Sequence, residues 1–333
     1  MIAGFQDQRT LVTGADGFIG SHLVELLVRG GAKVRAYVLY NSWNSIGWLA
    51  DLPAEIRAEI EIFAGDIRDV ERVSAAVQDC SYVFHLASLI AIPYSYVASR
   101  SYVDTNVTGA LNVLEACRRS AVLRRLVHVS TSEVYGTAQI VPIPESHPLV
   151  GQSPYSASKI AADKIAESYH LSFGVPLVVA RPFNTFGPRQ TPRAVIPTVA
   201  TQLLAGIERL KLGAVSPTRD FNYVADTAAG MAALAQCDAA IGKTVNIGTG
   251  IEHSIGETAA KLMAICRHSV PIDTDEQRLR PAGSEVHRLC ADATLIRSLT
   301  DWSPQVSFDE GLARTVAWLR SNRASLAAAD YAI

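Results

Sequence analysis

The chain has 333 residues, of which 49% are hydrophobic, so it can build one large domain or two modest domains around real cores. A formal net charge of only −2 with scattered basic residues gives no reason to expect nucleic acid or an acidic membrane surface as a partner. The five cysteines show no paired or metal-type spacing, no apolar run reaches membrane-spanning length, and the first residues lead into a strand rather than a signal peptide. We therefore expect a cytoplasmic protein without a metal site.

Strand-like and helix-like segments alternate through the first half of the chain. The apolar segments that predict strands are Arg9–Thr13, Lys33–Leu39, Ile60–Ala64, Tyr82–His85, Leu126–Ser130 and Pro176–Arg181. Helices are predicted over Phe18–Gly30, Val70–Gln78, Tyr102–Arg119 and Tyr155–Phe173. Continuous apolar strands between helices indicate a parallel sheet that is covered on both faces. We therefore expect an α/β fold with a doubly wound parallel sheet of the Rossmann type, whose ligand crevice lies at the carboxyl ends of the strands.

The composition of the sequence changes after the last of these strands. Prolines break up a loop-rich stretch, and the later helices are predicted near Ser254–Cys266 and Asp309–Arg320. We expect residues 1–182 to form a sheet domain. Residues 183–323 are expected to form a smaller lobe over its binding edge, with room for segments to be exchanged between the two. Residues 324–333 are expected to be a weakly ordered tail.

A glycine-rich turn joins the first predicted strand to the first helix. Gly14, Gly17 and Gly20 lie between these two elements, the context that gives a glycine pattern meaning. The glycines permit a tight turn, close approach of the backbone to a pyrophosphate, and close packing of the helix on the sheet. The helix N-terminus also offers amides and partial positive charge to the phosphates. The turn therefore predicts a dinucleotide site in residues 1–182.

Tyr155 and Lys159 are four residues apart in a predicted helix, which puts a phenol and an ammonium on one face, one turn apart. An ammonium near a phenol stabilises the phenolate, so Tyr155 can exchange a proton with a substrate hydroxyl near neutral pH. Thr131, Ser132 and Glu133 follow the end of a mid-chain strand. A Tyr-x-x-x-Lys pair alone is common, but together with the glycine turn and this Thr-Ser-Glu segment it indicates an enzyme.

The G-x-x-G-x-x-G spacing of the turn resembles that of the extended short-chain dehydrogenase/reductase family, whose members work on nucleotide sugars. Three other segments are similar to that family. Residues 65–69 resemble its adenine-contacting segment, residues 85–88 its cofactor loop, and Asn106 its helix asparagine. The resemblance covers nearly the whole chain, from about residue 11 to about residue 319.

The resemblance implies NAD as the cofactor, with NADP left open. NAD-preferring members usually end the second strand with an acidic residue that bonds the adenosine ribose, and Val38 takes that place here. Tyr40, Asn41 and Ser42 are left to bond the ribose instead. The residues that the resemblance places at the cofactor are Gly14, Asp16, Gly17, Phe18, Ile19, Gly20, Tyr40, Asn41, Ser42, Asp66, Ile67, Leu86, Ala87, Ser88, Asn106, Tyr155, Lys159 and Pro182.

In this family, Thr131, Tyr155 and Lys159 would form the oxidation triad. Tyr155 takes the proton of the sugar 4-hydroxyl as hydride leaves C4, Thr131 bonds the same oxygen, and Lys159 lowers the pKa of the tyrosine and holds the nicotinamide ribose. The 4-ketone acidifies the C5 proton, which Glu133 can remove, so that the 6-hydroxyl leaves as water and hydride returns to C6. Related dehydratases read Thr-Asp-Glu. Here either Glu133 also delivers the proton to the leaving oxygen, or Ser132 positions a water that does.

Several functions stay open on these residues. A nucleotide-sugar 4,6-dehydratase is favoured, because residues 38–48, 88–96 and 275–286 resemble the dehydratases of legionaminic-acid-type pathways, which act on nucleotide-linked N-acetylglucosamine. UDP is favoured over GDP as the nucleotide, and glycan biosynthesis is the expected setting. A UDP-glucuronic acid decarboxylase, which also carries Thr-Ser-Glu, or a 4-epimerase is the alternative. A non-catalytic dinucleotide-sensing protein is a remote one, because such proteins typically lose the Tyr or the Lys.

The substrate is expected to lie against apolar and basic side chains. Ile92 and Tyr94 suit an N-acetyl group and a sugar face, and arginine forks in residues 183–323 suit a diphosphate. The expected substrate-binding residues are Ile92, Tyr94, Asn184, Arg189, Arg193, Arg219 and Arg280. By the same resemblance, the helices over Tyr102–Arg119 and Tyr155–Phe173 should pair across a two-fold axis into a four-helix homodimer interface.

Overall fold

The computed structural model describes residues 4–322, so the tail expected over residues 324–333 lies outside the described residues. The strands are β1 (Arg9–Thr13), β2 (Lys33–Leu39), β3 (Ile60–Gly65), β4 (Tyr82–His85), β5 (Arg125–Val129), β6 (Leu177–Pro182), β7 (Asn184–Phe186), β8 (Leu210–Leu212), β9 (Thr218–Tyr223), β10 (Thr244–Ile247), β11 (Glu252–Ser254), β12 (Ile272–Thr274) and β13 (Arg288–Leu289). The helices are α1 (Phe18–Arg29), α2 (Ala54–Ala58), α3 (Val70–Val77), α4 (Ile92–Val97), α5 (Ser99–Tyr102), α6 (Gly109–Arg119), α7 (Pro154–Phe173), α8 (Val195–Ala205), α9 (Val224–Gln236), α10 (Ile255–Cys266), α11 (Thr294–Leu299) and α12 (Phe308–Ser321).

Seven parallel strands form the central sheet, in the order β10-β6-β5-β4-β1-β2-β3. Strands β5 and β6 are buried along their whole length, because helices cover both faces of the sheet. The strand order reverses between β1 and β4, and a doubly wound sheet opens its ligand crevice at the carboxyl ends of the strands at such a point. The expected Rossmann-type α/β fold is therefore confirmed.

Helix α7 carries Tyr155 and Lys159 on the face that packs against the sheet. It begins after Ser153, whose hydroxyl accepts a hydrogen bond from an amide of the first turn in a capping box, and Pro154 occupies its first position. Because residues four apart share a helix face, the buried side chains of Tyr155, Lys159 and Asp163 follow one another along the same side. The local sequence thus fixes where the helix starts and which residues face the crevice.

The helix predicted over Tyr102–Arg119 is not regular. Helix α5 runs into a π-helical turn over Val103–Thr108 before α6 continues. In this turn Asn106 is buried, and its side chain bonds the backbone N–H of Leu89 at 2.8 Å and the carbonyl oxygen of Leu89 at 3.0 Å. A π turn inserts a single extra residue and is common at functional sites. Hydrophobic periodicity does not reveal so small an insertion, which is why a single regular helix was expected.

The C-terminal half of the chain contributes to three sheets, of which the smallest is the pair β8 and β12. Strand β9 pairs with β7, β11 and β13 in a small sheet, and the aromatic rings of Phe186, Phe221 and Phe308 pack together in its core. Strand β10 instead joins the large sheet beside β6, and α9 packs against α1. Because these two elements lie beyond residue 182 and complete the first domain, the domain division at that residue stays a prediction.

Candidate active site

The glycine-rich turn brings the backbone close to the space at the start of α1. Gly14 has a φ of 67°, and a Cβ there would lie 2.9 Å from the backbone nitrogen of Ala87. A Cβ at Gly20 would lie 2.1 Å from the carbonyl oxygen of Gly14, so only glycine allows this packing. Gly17 precedes α1 without a side-chain cap, which leaves the first amides available to an anion. These features fit a dinucleotide pyrophosphate.

The expected cofactor loop after β4 is held beside this turn by Thr13. The Oγ1 atom of Thr13 accepts hydrogen bonds from the backbone N–H groups of Leu86 and Ala87, both at 3.1 Å. Ser88 donates from its hydroxyl to the carbonyl oxygen of Leu86 at 3.2 Å. The carboxyl ends of β1 and β4 are thereby joined, as a crevice between these strands requires.

Asp66 and Asn106 are both engaged by neighbouring side chains. Arg68 forms a fork on the Asp66 carboxylate and holds its pKa below the usual range. Asn106 donates to the hydroxyl oxygen of Ser158 on α7 at 2.9 Å, in addition to its bonds with Leu89. Asn106 therefore connects the cofactor loop to the helix that carries the reacting residues.

Four expected cofactor residues have apolar side chains that pack in the walls of the crevice. Ile67 is buried in the core on one face of the sheet. Phe18 and Ile19 pack against the core of the small lobe, and Pro182 is buried at the end of β6. Their side chains support the shape of the crevice rather than supplying polar contacts.

The end of β2 carries no carboxylate, as the sequence indicated. Val38 is buried, Tyr40 is 72% exposed, and Ser42 is exposed. The side-chain amide of Asn41 donates to the carbonyl oxygens of Leu39 at 3.1 Å and Ser45 at 2.9 Å. That amide therefore stabilises its own loop, and a contact of Asn41 with a ribose stays a prediction.

The end of β5 and the start of α7 bring together the expected oxidation residues. The hydroxyl of Thr131 lies close enough to the phenol of Tyr155 to act on its pKa. Thr131 also accepts a hydrogen bond from the backbone N–H of Glu133 at 3.2 Å. Lys159 is buried, and its Nζ donates to the carbonyl oxygen of Val129 at 2.7 Å. All of these groups lie at the carboxyl edge of the sheet, beside the glycine turn.

Burial dominates the protonation of Tyr155 and Lys159. It raises the pKa of Tyr155, the hydrogen bond with Thr131 acts to lower it, and the negative charge of Glu133 acts to raise it. Burial lowers the pKa of Lys159 to about 8, while the Asp163 carboxylate acts in the opposite direction. Because the ammonium is bonded to a backbone carbonyl here, the role of Lys159 in lowering the pKa of the tyrosine stays a prediction.

Asp163 belongs to no motif, yet it lies four residues after Lys159 on the same face of α7. Its Oδ2 accepts hydrogen bonds from the Ser130 hydroxyl at 2.7 Å and from Arg181 Nη2 at 3.0 Å. His128 Nε2 lies 3.3 Å from its Oδ1. Burial acts to raise the pKa of Asp163, but His128 and Arg181 hold it below the usual range. The only sequence signal for this residue is its spacing of four from Lys159.

Glu133 is buried in a cluster of two carboxylates and two guanidinium groups. Its Oε2 lies 3.8 Å from Arg280 Nη1. Glu285 Oε1 lies 3.6 Å from Arg219 Nη2 and 4.0 Å from Arg280 Nη1. Arg219 is also buried, and burial lowers its pKa while the Glu133 charge acts to raise it. Ser132 is buried next to Glu133, so both expected elimination residues lie beside a pair of cations.

The structure places Asn184 with this cluster but not Arg189. Asn184 lies on β7 and pairs with Phe221 of β9, the strand that carries Arg219. Its Oδ1 is buried and has no hydrogen-bond partner among the described residues. Arg189 Nη2 lies 2.8 Å from Glu25 Oε2 on α1 instead. The guanidinium of Arg189, which is expected to bind the substrate, therefore forms an ion pair with a carboxylate of helix α1.

An apolar wall stands beside the phenol of Tyr155. Ile92 and Tyr102 pack with Tyr155 in one buried cluster, and the rings of Tyr102 and Tyr155 are 6.2 Å apart edge to face. The ring of Tyr94 is tilted against that of Tyr102 at the same centroid distance of 6.2 Å. Burial raises the pKa of Tyr102 to about 12, and the guanidinium of Arg193 acts to lower it. Ile92 thus borders Tyr155, whereas Tyr94 and Arg193 act on Tyr102, and their contact with a substrate stays a prediction.

The chain resembles known proteins over nearly its whole length. Residues 11–315 match the family model described as GDP-mannose 4,6 dehydratase. The chain belongs to this family. It is 34% identical to the dTDP-glucose 4,6-dehydratase of an Actinoplanes species over 325 residues, which cover 95% of this chain and 98% of that protein. The expected membership of the extended short-chain dehydrogenase/reductase family is confirmed.

Solved structures of the family share this architecture. The double mutant of DesIV, a dTDP-glucose 4,6-dehydratase from Streptomyces venezuelae solved with NAD bound, matches with a TM-score of 0.85 and 32% identity, covering 96% of this chain and 98% of that one. An epimerase from Methanothermobacter thermautotrophicus matches with a TM-score of 0.88 and 31% identity, covering 97% and 95%. Dehydratases and epimerases are thus both similar to this chain.

Within residues 4–322, no helix combines the length and apolarity needed to cross a membrane. The same residues contain no group of three or more His, Cys, Asp and Glu side chains arranged to hold a metal ion. The five cysteines are free thiols.

The substitution Asp163→Asn is expected to destabilise the fold, because it removes the charge that faces the buried guanidinium of Arg181. Removing one partner of a buried pair costs about 3–5 kcal/mol in the free energy of unfolding, which urea denaturation measures. Asp309→Asn is the matched control, since Asp309 pairs with Lys261 at 2.6 Å on the surface and should contribute less than about 1 kcal/mol. Equal losses for the two variants would contradict the structural role of Asp163.

Proposed function

We propose that this chain is a nucleotide-sugar 4,6-dehydratase that converts an NDP-N-acetylglucosamine, with UDP favoured over GDP, to its 4-keto-6-deoxy sugar. The observation that carries the proposal is the buried carboxylate of Glu133, which is close enough to Tyr155 to act on its pKa. A 4-epimerase needs no base at this place, whereas loss of water across C5 and C6 requires one. The similarity to dTDP-glucose 4,6-dehydratases supports the reaction class.

We propose NAD as the cofactor, in line with the NAD bound to DesIV. The glycine turn and the uncapped start of α1 would hold its pyrophosphate. When bound, NAD would supply the acceptor for hydride from C4 and the donor of hydride to C6. Thr13 would keep the loop at Leu86 and Ala87 against it.

The oxidation step depends on proton transfer to Tyr155. Tyr155 would take the proton of the 4-hydroxyl, and Thr131, which lies close enough to Tyr155 to act on its pKa, would bond the same oxygen. Because burial raises the pKa of the phenol, its ionised form requires a nearby positive charge. The ammonium of Lys159, one helical turn away and buried, is the side chain that we assign to this role.

The elimination step depends on Glu133. The 4-ketone acidifies the proton on C5, and the Glu133 carboxylate would remove that proton while the 6-hydroxyl leaves as water. Two routes for protonation of the leaving oxygen stay open. Either Glu133 passes on the proton that it has taken, or the adjacent Ser132 positions a water that supplies one.

The substrate is supported by the two sides of the crevice. Ile92 and Tyr102 form an apolar wall against Tyr155, which suits the methyl group of an N-acetyl substituent and the face of a sugar ring. Arg219 and Arg280 would bind the diphosphate, and the side-chain NH2 of Asn184, on the strand that pairs with β9, would donate to it.

A decarboxylase acting on UDP-glucuronic acid, or a 4-epimerase, is the second candidate. Two observations favour it. Ser132 stands where related dehydratases carry an aspartate, and Arg280, 3.8 Å from Glu133, could face a sugar carboxylate. The similarity to an archaeal epimerase agrees with a scaffold that supports more than one outcome at C4.

The mass of the product distinguishes these functions. Purified protein should be incubated separately with UDP-N-acetylglucosamine, GDP-N-acetylglucosamine, dTDP-glucose and UDP-glucuronic acid, without added reductant. Loss of water from an N-acetylglucosamine nucleotide is the expected result. Loss of water from dTDP-glucose alone would contradict the proposed substrate, whereas loss of carbon dioxide from UDP-glucuronic acid would establish the decarboxylase. Isomerisation with no change of mass would establish the epimerase.

The substitution Glu133→Gln should separate oxidation from elimination. The amide keeps the size of the side chain but cannot remove the C5 proton, so bound nicotinamide should still be reduced by substrate while dehydration slows by about 10²–10⁴-fold. Absorbance at 340 nm and product mass measure the two steps. Glu59→Gln, an exposed acid at the end of α2, is the control and should behave like the wild type. Dehydration by Glu133→Gln at the wild-type rate would remove the mechanism.

Turnover should decrease on the alkaline side near pH 8. The pKa of Lys159 is lowered to about 8, so its ammonium is present below that pH and is lost above it, together with its stabilisation of the phenolate. Burial lowers the pKa values of His85 and His128, so these neighbours should not titrate in that range. A pH profile of kcat/KM measures the effect. Lys159→Ala should be nearly inactive, and any residual activity that still decreases near pH 8 would contradict the assignment.

We further propose a cytoplasmic homodimer that serves glycan biosynthesis, with α6 and α7 of two copies forming a four-helix interface. Exposed apolar side chains on this part of the surface include Leu111 on α6 and Leu171 and Phe173 on α7. Sedimentation at micromolar concentration should give twice the chain mass of 35.8 kDa, and the Leu111→Glu variant should give the mass of a single chain. A wild-type monomer at that concentration would refute the dimer.

A further inference from the structure

The crevice lacks the strand-end charge by which this fold ordinarily distinguishes NAD from NADP. An acidic residue at the end of the second strand bonds the ribose hydroxyl of NAD, and an arginine nearby accommodates the 2′-phosphate of NADP. Here β2 ends in Leu39, followed by Tyr40 and Asn41, so the strand supplies neither charge. The amide of Asn41 is also occupied by its own loop.

A carboxylate reaches the same place from the glycine turn. Asp16 lies between Gly14 and Gly17, and its Oδ2 accepts a hydrogen bond from the backbone N–H of Leu39 at 3.3 Å. Because β1 and β2 are adjacent parallel strands, the side chain spans from the end of one to the end of the other. Burial raises the pKa of Asp16, and the amides of Leu39 and of Asp16 itself act against that rise.

Asp16 is held in position from the other side by the loop that follows β2. Its carbonyl oxygen accepts a hydrogen bond from the backbone N–H of Trp48 at 3.0 Å. Gly47 has a φ of 55°, and a Cβ there would lie 2.4 Å from that same oxygen. The loop can therefore pack on Asp16 only with glycine at residue 47, which fixes the backbone from which the carboxylate extends.

Among residues 4–322, no arginine or lysine forms an ion pair with this carboxylate. The influences on its pKa are burial and the backbone amides of Leu39 and of Asp16 itself. The arginines that follow β3 are engaged elsewhere: Arg68 Nη2 lies 2.5 Å from Asp66 Oδ2, and Arg72 Nε donates to the carbonyl oxygen of Ala64 at 2.7 Å. A 2′-phosphate at this edge would meet a negative charge and no compensating positive one.

We propose that Asp16 is the residue that selects NAD over NADP. Its carboxylate takes the place of the missing strand-end acid, accepts a hydrogen bond from the 2′-hydroxyl of the adenosine ribose, and repels a 2′-phosphate. The inference rests on the dinucleotide of the proposed function and adds the residue that determines which dinucleotide is bound. The binding preference should be about 10-fold to 100-fold, the range of a charge-assisted hydrogen bond.

Direct binding tests the proposal without any turnover. The purified chain, freed of bound nucleotide, is titrated with NAD⁺ and with NADP⁺ by calorimetry, and the ratio of the two dissociation constants is compared among variants. Asp16→Asn keeps the size and the acceptor for Leu39 but loses the charge, so the ratio of the NADP⁺ to the NAD⁺ constant should decrease by about tenfold or more. If the asparagine variant does not fold, Asp16→Ser, which also removes the charge, is measured in its place. Asp51→Asn, an exposed acid just beyond the loop, is the control and should keep the wild-type ratio.

The outcomes separate this inference from the function beneath it. The proposal is supported if the ratio of the NADP⁺ to the NAD⁺ dissociation constant decreases in the Asp16 variants and not in Asp51→Asn. An unchanged ratio in these variants, or a wild type that binds both dinucleotides equally, overturns it while leaving dinucleotide binding and the dehydratase intact. Binding of neither dinucleotide to the wild type overturns the inference together with the cofactor of the proposed function.

Discussion

The reacting side chains depend on one carboxylate that they do not touch. Asp163 is fully buried in α7, and its bonds to Ser130 and Arg181 tie this helix to the ends of β5 and β6. Thr131 follows Ser130 directly, so the same carboxylate sets how the strand end meets the phenol of Tyr155. A buried charge can have this role only because cations surround it, since an isolated one would be strongly destabilising.

A second group of charges controls the substrate side. Glu133 and Glu285 face Arg219 and Arg280, and the four charges sum to zero. This balance offsets the cost of burying much of the two guanidinium groups. On the proposed function, a diphosphate would compete with both carboxylates for the arginines. Substrate binding and the position of Glu133 are therefore coupled through the cations that they share.

Local sequence patterns predict most of the fold. The features that they do not predict depend on tertiary contacts. The strands and most helices follow from apolar runs and turn residues, and the spacing of Tyr155 and Lys159 identified the reacting helix. The π turn at Asn106 and the buried acid Asp163 carry no local signal beyond a single residue or a spacing of four. Arg189 looks like a phosphate ligand in sequence, but Glu25 on a distant helix neutralises it in the fold. Such pairings depend on which elements pack together, which periodicity does not report.

The order in which the chain is made has a consequence for its folding. Strand β10 pairs with β6, and α9 covers α1, although both lie far along the chain from these partners. The nascent sheet therefore presents the open edge of β6 and an uncovered face of α1 until about three quarters of the chain, residues 1–247 of 333, has left the ribosome. An unpaired strand edge of this kind is prone to association with other chains. The connectivity itself therefore creates a need for chaperones to protect that edge during translation.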